Sequence, residues 1–312
     1  MAGVIGTLLN GVASSMVSKR IAIIVNPIAG KRRPHSVHRF AGYLKQAGFD
    51  VRIEKTLFPG HATELARQLV ESRQYGYIVA AGGDGTIAEV AEAVVGSEVI
   101  FCILPIGTAN VLAHELSINF DERQNASNII KGYSTTIWPA FLQNDGRESL
   151  FVQMLGIGID AHIVHHISSR LKRVMGKAAY ALQMLRSLWQ YELREMSVSI
   201  DGQIYEKATS VIISKGALYA GEHRLLPESK QKDEVFAAVL FQSRNKIDYL
   251  LAASAFFMGK VSHCRHIKVV TAKSVEINAP DKLPIQSDGD IRGFTPATVT
   301  ISTKALKVAA PI

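Results

Sequence analysis

The sequence predicts an α/β protein with an N-terminal doubly wound, mostly parallel α/β domain and a C-terminal, largely antiparallel β-sandwich-like domain. Two patterns predict this fold. Between residues 21 and 116, apolar runs of strand length alternate regularly with segments of helical periodicity, which is typical of a parallel sheet covered on both faces. From about residue 137 the apolar runs become short and rich in β-branched residues, which favours antiparallel sheets.

The predicted elements follow the chain in order. In the first domain the predicted strands are 21–25, 51–55, 77–81 and 99–104, and the predicted helices are 37–47, 62–72, 86–95 and 110–116. In the second domain strands are predicted at 151–155, 197–200, 210–214, 235–241, 267–271 and 274–277, and helices at 168–191 and 246–258. We expect a leader over residues 1–18, amphipathic or disordered, and domains over 19–137 and 138–312, with the last strand or tail able to return to the first domain.

Composition argues against a membrane-spanning protein and a zinc or redox-cysteine protein. No apolar run approaches the roughly 18 uninterrupted residues that a bilayer span needs, and the two cysteines form no CxxC pair or zinc pattern. The formal net charge of +8 indicates an anionic partner. Charge alone leaves nucleic acid, a phospholipid surface and nucleotide phosphates open.

The segment Ala81–Thr86, with the sequence AGGDGT, is the strongest local motif. It follows a predicted strand and opens a predicted helix, so Gly82, Gly83 and Gly85 allow a close backbone approach to an anion at a helix N-terminus. An aspartate among phosphates needs a cation or a transferred proton beside it, which makes Asp84 a metal or acid–base candidate. A tight turn with an aspartate cap is the alternative interpretation.

Two further polar loops follow neighbouring strands. Asn26–Lys31, which includes Gly30, ends the first strand, and Leu104–Asn110, which includes Gly107, ends the fourth. Because ligands of such sheets bind beyond the carboxyl ends of the strands, we expect the three loops to share one edge. Phosphate binding is the function that this arrangement predicts.

The NPxAG, GGDGT and LPxGTAN motifs, in this order and spacing, resemble the catalytic domain shared by diacylglycerol kinases and sphingosine kinases. The resemblance continues through Gly156–Ala161, Tyr219–Gly221 and Asp288–Asp290 to about residue 293. It implies that ATP, with Mg²⁺, lies in a cleft between the domains, where the active site is expected. Together with the loop argument it assigns nucleotide contacts to Asn26, Gly30, Lys31, Thr56, Gly82, Gly83, Asp84, Gly85, Thr86, Glu89, Gly107, Thr108 and Asn110.

The resemblance also implies the catalytic base. The family motif Asp-Gly-Glu, whose acidic residues take the proton of the lipid hydroxyl, appears here as Asp288-Gly289-Asp290. Asp290 is therefore the predicted base, although its side chain is one methylene shorter, and Asp288 is the alternative. An Asp-Gly hairpin turn explains the same residues without catalysis.

Two metal sites are predicted. Asp84 is a candidate ligand beside the phosphates. The resemblance further implies a structural magnesium in the second domain, held by Asp233 and by the backbone carbonyls of Lys230 and Val235, although Glu234 stands where the family has glycine.

The predicted function is that of an ATP-dependent kinase for a membrane lipid, with diacylglycerol as the default acceptor and ceramide, a sphingoid base or phosphatidylglycerol as alternatives. A NAD kinase-like enzyme and a noncatalytic nucleotide-dependent membrane sensor are the rivals. We expect a cytoplasmic protein peripherally and reversibly associated with the anionic inner membrane. A basic helix that begins near Arg170 can contribute to this contact, and the alternative is a helix packed in the core with a solvated basic face. Nucleic acid is not an expected partner, and a homodimer is left open.

Overall fold

The computed structural model of the chain describes residues 17–29, 35–166, 185–219, 221–257 and 264–311. Most of the predicted leader, and the predicted basic helix up to residue 184, lie outside these ranges. None of the helices in the described ranges is long and apolar enough to span a membrane.

Up to residue 116 the chain alternates strands and helices as predicted, and the structure adds a helix and a strand that were not predicted. The strands are β1 (Arg20–Val25), β2 (Asp50–Lys55), β3 (Tyr77–Gly82), β4 (Ile100–Pro105) and β5 (Thr135–Ile137). The helices are α1 (Ser36–Gln46), α2 (His61–Glu71), α3 (Asp84–Val94), α4 (Val111–Glu115) and α5 (Glu122–Ile130).

Strands dominate the second part. They are β6 (Ala140–Asn144), β7 (Arg147–Phe151), β8 (Met154–Ile157), β9 (Met196–Ile200), β10 (Gln203–Ala208), β11 (Ser210–Ser214), β12 (Leu218–Tyr219), β13 (His223–Arg224), β14 (Phe236–Phe241), β15 (Ile267–Ala272), β16 (Ser274–Asn278), β17 (Pro284–Ser287), β18 (Asp290–Phe294), β19 (Ala297–Ile301) and β20 (Leu306–Val308). Two helices with bounds in the described ranges accompany them, α6 (Ile159–His166) and α7 (Lys246–Phe257).

The first sheet has the order β2-β1-β3-β4-β20-β5. Its pairings are parallel except that of β20 with β5. Successive residues of β1 face opposite sides: Ile21 and Ile23 pack with α1 and α5, whereas Ala22 and Ile24 pack with α2 and α3. Both faces are therefore covered by helices, and the predicted doubly wound domain is confirmed.

Two antiparallel six-stranded sheets form the second domain. Their orders are β10-β9-β16-β19-β6-β7 and β15-β14-β11-β8-β17-β18. A single buried cluster joins the inner faces of these two sheets. Phe151 and Val299 come from the sheet that contains β6, and Leu155, Ile213 and Ile285 come from the sheet that contains β8. Alternating apolar residues on each strand produce this core, and the predicted β-sandwich-like domain is confirmed.

The predicted strand 151–155 is wrong as a single element. Strand β7 ends at Phe151 in one sheet, and β8 begins at Met154 in the other. The N–H groups of Val152 and Gln153 donate to the carboxylate of Asp288 instead of to a neighbouring strand. Hydrogen bonding to a distant side chain interrupts the strand, and a local hydrophobic pattern cannot show this.

Strand β20 brings the end of the chain back to the first sheet. Val308 pairs with Phe101, and the N–H of Ala309 donates to the carbonyl of Phe101 at 2.8 Å. Leu306 is 1% exposed and belongs to the first-domain core. The last strand therefore completes the sheet that carries the three polar loops.

Truncation of Leu306 to alanine should destabilise the first domain. Removing a fully buried leucine costs about 2–5 kcal/mol of unfolding free energy. The neighbouring Lys307 lies on the surface and pairs with Glu98, so Lys307→Ala should cost about 1 kcal/mol or less. Urea unfolding measures both variants, and equal losses would contradict a core role for the last strand.

Candidate active site

The three polar loops meet at one edge of the first sheet. The N–H of Asn26 donates to the carbonyl of Ala81 at 3.0 Å. The carbonyl of Gly82 accepts from Ile106 at 3.2 Å and from Gly107 at 3.0 Å. The loop after β3 is therefore hydrogen-bonded to the loops after β1 and β4, because parallel strands end at the same edge.

Gly107 packs directly against the glycine-rich loop. A Cβ atom at this position would lie 3.0 Å from the nitrogen of Gly83, closer still to its Cα atom, and 2.8 Å from Oδ1 of Asn110. These distances leave no room for a side chain. Glycine is required here so that two backbone segments can touch.

The N-terminus of α3 is open to an anion. Gly83 precedes this 11-residue helix and supplies no side-chain cap, so N–H groups of the first turn have no intrahelical acceptor. Thr86 is buried and accepts a hydrogen bond from Nδ2 of Asn26 at 3.3 Å. The helix dipole and free amides favour a phosphate at this position.

Asp84 connects the second and third loops. Its carboxylate accepts the N–H groups of Asn110 at 2.9 Å and Val111 at 2.7 Å, at the start of α4. Burial raises the pKa of Asp84, the negative charge of Asp290 raises it further, and the backbone N–H groups oppose the shift. Each oxygen already has one donor, and a role in metal binding or acid–base chemistry stays a prediction.

Glu89 holds the start of α2. Its carboxylate accepts the N–H groups of Gly60 at 3.0 Å and Ala62 at 3.1 Å. Thr56, in the same loop, is attached to β1 through its N–H and the carbonyl of Val25 at 2.9 Å. Glu89 thus fixes the loop that carries Thr56, and its own contact with nucleotide stays a prediction.

The remaining nucleotide-contact residues differ in their surroundings. Thr108 is exposed at the tip of its loop. Asn110 is buried, has a positive φ of 48°, and its amide nitrogen and oxygen have no hydrogen-bond partner among the described residues. Gly30 and Lys31 lie outside the described residues.

Asp288 anchors the turn from the second domain. Its carboxylate accepts N–H groups from Val152 at 2.8 Å, Gln153 at 3.0 Å and Met154 at 2.9 Å. Burial raises the pKa of Asp288 to about 6, the three N–H groups oppose this, and the Asp84 charge adds to it. Because these hydrogen bonds all come from backbone N–H groups, Asp288 fixes the hairpin to the segment between β7 and β8. It is therefore poorly placed to take a proton from substrate.

Asp290 is the exposed carboxylate of the same turn. Asp288 and Gly289, with φ of 48° and 89°, join β17 to β18 in a two-residue hairpin. A Cβ atom on Gly85 would lie 2.9 Å from Oδ2 of Asp290. The hairpin interpretation and the active-site interpretation therefore both hold, because the hairpin presents Asp290 to the glycine-rich loop of the other domain.

Glu115, a residue that the sequence did not reveal, joins the two domains. Its carboxylate accepts the N–H groups of Ala217 at 3.1 Å and Leu218 at 2.9 Å. A Cβ atom on Gly216 would lie 2.6 Å from this carboxylate. The one available signal was the position of Glu115 at the end of the helix that follows the third loop.

The segment Gly156–Ala161 contacts the strand that precedes the hairpin. Asp160 is buried, accepts from Nε2 of Gln286 at 2.7 Å and hydrogen-bonds the Tyr219 hydroxyl. Gly156 has no space for a side chain, because the Asp160 carboxylate lies against it. This motif therefore orders strand β17, which leads into the hairpin.

The predicted structural magnesium site holds a lysine. Nζ of Lys215 donates to the carbonyl oxygens of Asp233 at 2.6 Å and Val235 at 2.5 Å. Burial lowers the pKa of Lys215 to about 8, with the Asp233 charge in opposition, so the ammonium form prevails at neutral pH. A lysine ammonium group bound to these carbonyl oxygens does not fit a divalent cation at the same position. The described residues also contain no group of three His, Cys, Asp or Glu that could hold a metal ion.

Comparison with known proteins agrees with this geometry. Residues 20–139 match the diacylglycerol kinase catalytic domain, and residues 153–310 match the YegS C-terminal NAD kinase beta sandwich-like domain. The chain is 27% identical to a diacylglycerol kinase of Bacillus subtilis (strain 168) over 284 residues, which cover 89% of this chain and 92% of that protein. It is 26% identical to the Staphylococcus carnosus (strain TM300) diacylglycerol kinase, over 94% of this chain and 95% of the relative.

A solved structure has the same fold. The crystal structure of a diacylglycerol kinase from Bacillus anthracis str. Sterne superposes with a TM-score of 0.71 at 21% identity, and the alignment covers 94% of this chain and 97% of the other. Both domains are thus matched by sequence, and the arrangement of the fold is matched by structure. The chain belongs to the diacylglycerol kinase catalytic-domain family, and it is a kinase.

Proposed function

We propose that the protein transfers the γ-phosphoryl group of ATP to a hydroxyl group of a membrane lipid, with diacylglycerol as the acceptor. One observation carries the proposal. The exposed carboxylate of Asp290, from the second domain, faces Gly85 in the glycine-rich loop of the first. A proton acceptor from one domain and an anion-binding helix N-terminus from the other are the two groups that phosphoryl transfer to a hydroxyl requires.

The first domain would bind the phosphates. The backbone N–H groups at the start of α3 would bind the anion, and the contact of Gly107 with Gly83 holds the loop that precedes them. Magnesium on the phosphates would offset their charge, and the carboxylate of Asp84, in the glycine-rich loop, would hold it. Amides fixed before substrate arrives stabilise charge in the transition state without reorganisation.

The second domain would act on the acceptor. Asp290 would take the proton of the attacking hydroxyl, and Asp288 would hold the hairpin that positions it. Aspartate is one methylene shorter than the glutamate of the family motif, so the hydroxyl must come closer to the backbone of this chain. Glu115 maintains the spacing of the two domains, because its hydrogen bonds cross between them.

A lipid acceptor is supported by the relatives and by an exposed apolar surface. The curated relatives compared above are named diacylglycerol kinases. On the second domain, Trp189, Ile247 and Leu251 are more than half exposed, and Nζ of Lys246 donates to the carbonyl of Trp189 at 2.5 Å. Aromatic and aliphatic side chains beside a basic residue suit reversible contact with an anionic membrane.

A phosphoryl-transfer assay tests the acceptor. Labelled ATP, magnesium and mixed micelles should give labelled phosphatidic acid from diacylglycerol at a higher kcat/KM than the products from ceramide, a sphingoid base or phosphatidylglycerol. A higher kcat/KM on one of these lipids would change the acceptor. Transfer to NAD without transfer to lipid would favour a NAD kinase-like enzyme, and ATP binding without any transfer would favour a sensor.

Substitution of the two hairpin aspartates should separate their roles. Asp290→Asn should lower kcat by about 10²–10⁴-fold, the usual contribution of general acid–base catalysis, and leave the unfolding midpoint unchanged because Asp290 is exposed. Asp288→Asn puts an amide against three N–H donors and should cost about 1–3 kcal/mol of unfolding free energy. Steady-state kinetics and thermal unfolding measure both effects.

The pattern across the two variants decides the assignment. An Asp290→Asn variant with wild-type kcat would remove Asp290 as the base. An Asp288→Asn variant with wild-type stability and abolished turnover would transfer the role to Asp288.

A further inference from the structure

Lys215 is a fully buried lysine just after β11. Its exposed fraction is 1%, and it is among the largest fully buried side chains of the described residues. Lysine is almost never buried to this degree unless its charge is paired. The ammonium group donates to the carbonyl oxygens of Asp233 and Val235. The segment 230–235 is therefore folded around a positive charge from the protein itself.

The same segment is where the resemblance assigns a structural magnesium. Of the three predicted ligands, the Val235 carbonyl accepts from Lys215, and the Lys230 carbonyl accepts from the N–H of Asp233 at 3.1 Å. The Asp233 residue is exposed. Two of the predicted oxygen ligands thus already have protein donors, and the third residue faces solvent.

An ammonium group can perform the electrostatic task of the metal. A divalent cation needs six or more oxygen ligands in its coordination sphere, whereas an ammonium group is a compact charge with three donors. We propose that Lys215 replaces the structural divalent cation of the family and holds the 230–235 segment without metal. Glu234, in place of the family glycine, is compatible with a segment that no longer wraps around a metal ion.

The held segment supports the catalytic hairpin. Nε2 of Gln231, a buried side chain, donates to the carbonyl of Val152 at 2.9 Å and to Oε1 of Gln153 at 2.7 Å. The N–H of Lys215 donates to the carbonyl of Gln153 at 2.8 Å. Val152 and Gln153 in turn donate to the Asp288 carboxylate. Lys215 is thus a positioning residue, connected to the hairpin through backbone.

Thermal unfolding without nucleotide tests the replacement. Wild-type protein should have the same Tm in excess EDTA and in millimolar magnesium chloride. Lys215→Ala should lower Tm by about 5 °C or more in EDTA, because two buried carbonyls lose a charged donor. Magnesium should recover part of this loss, since the vacated space and the Asp233 carboxylate can then accept a hydrated cation.

Two variants serve as matched controls. Lys215→Met removes the charge and keeps the bulk, so its Tm should fall and magnesium should not restore it. Lys232→Ala removes an exposed lysine of the same segment and should leave Tm within about 1 °C of wild type. A magnesium-dependent rise of Tm in the wild type would overturn the proposal, and so would a Lys215→Ala variant that is as stable as Lys232→Ala. If Lys215→Ala does not fold, the wild-type comparison alone decides.

A kinetic measurement adds a readout that a packing role would not change. At saturating magnesium–ATP, wild-type turnover should not respond to further free magnesium. Lys215→Ala turnover should be lower and should rise severalfold with free magnesium, whereas Lys215→Met should not respond. An equal response of all three proteins would contradict the proposal and leave the proposed lipid kinase activity standing.

Discussion

The close approach of two backbone segments at Gly83 and Gly107 is the constraint on which the site depends. No side chain fits at Gly107, and the loops after β3 and β4 are hydrogen-bonded through the carbonyl of Gly82. The N-terminus of α3 has no side-chain cap beside this contact. Asp84 also joins the two loops, because its carboxylate accepts N–H groups at the start of α4. The proposed anion site, made of backbone amides, depends on this contact at Gly107.

The second domain contributes the exposed carboxylate of Asp290 to the proposed site, and hydrogen bonds from both domains support it. Three N–H groups hold Asp288, Asp160 orders the preceding strand through Gln286, and Glu115 fixes the distance between domains. These hydrogen bonds go to backbone N–H groups, a buried amide and the Tyr219 hydroxyl, and they fix the position of the hairpin. Preorganisation of this kind reduces the cost of reaching the transition state.

The sequence predicted the four strands and four helices between residues 21 and 116 to within two residues at each end, since each of them has its own hydrophobic period, whereas α5 and β5 were not predicted. The second domain was harder. The break at Val152 and Gln153 depends on a carboxylate more than 130 residues away in the chain, and the lysine at the predicted metal site depends on a fold that brings Lys215 beside Val235. Long-range hydrogen bonds of this type do not produce a hydrophobic period in the sequence. The motifs identified the loops, whereas the roles of Glu89 and Glu115 required coordinates.

Calorimetric titration of ATP into Gly107→Ala tests the central contact most directly. The added methyl group has no space beside Gly83, so ATP affinity should fall by tenfold or more, which is about 1.4 kcal/mol. Gly42→Ala is the matched control, because a Cβ atom on Gly42, within α1, meets nothing within 4 Å. The control should bind ATP like the wild type. Equal affinity of the two variants, both folded by thermal unfolding, would contradict a phosphate site built on this contact.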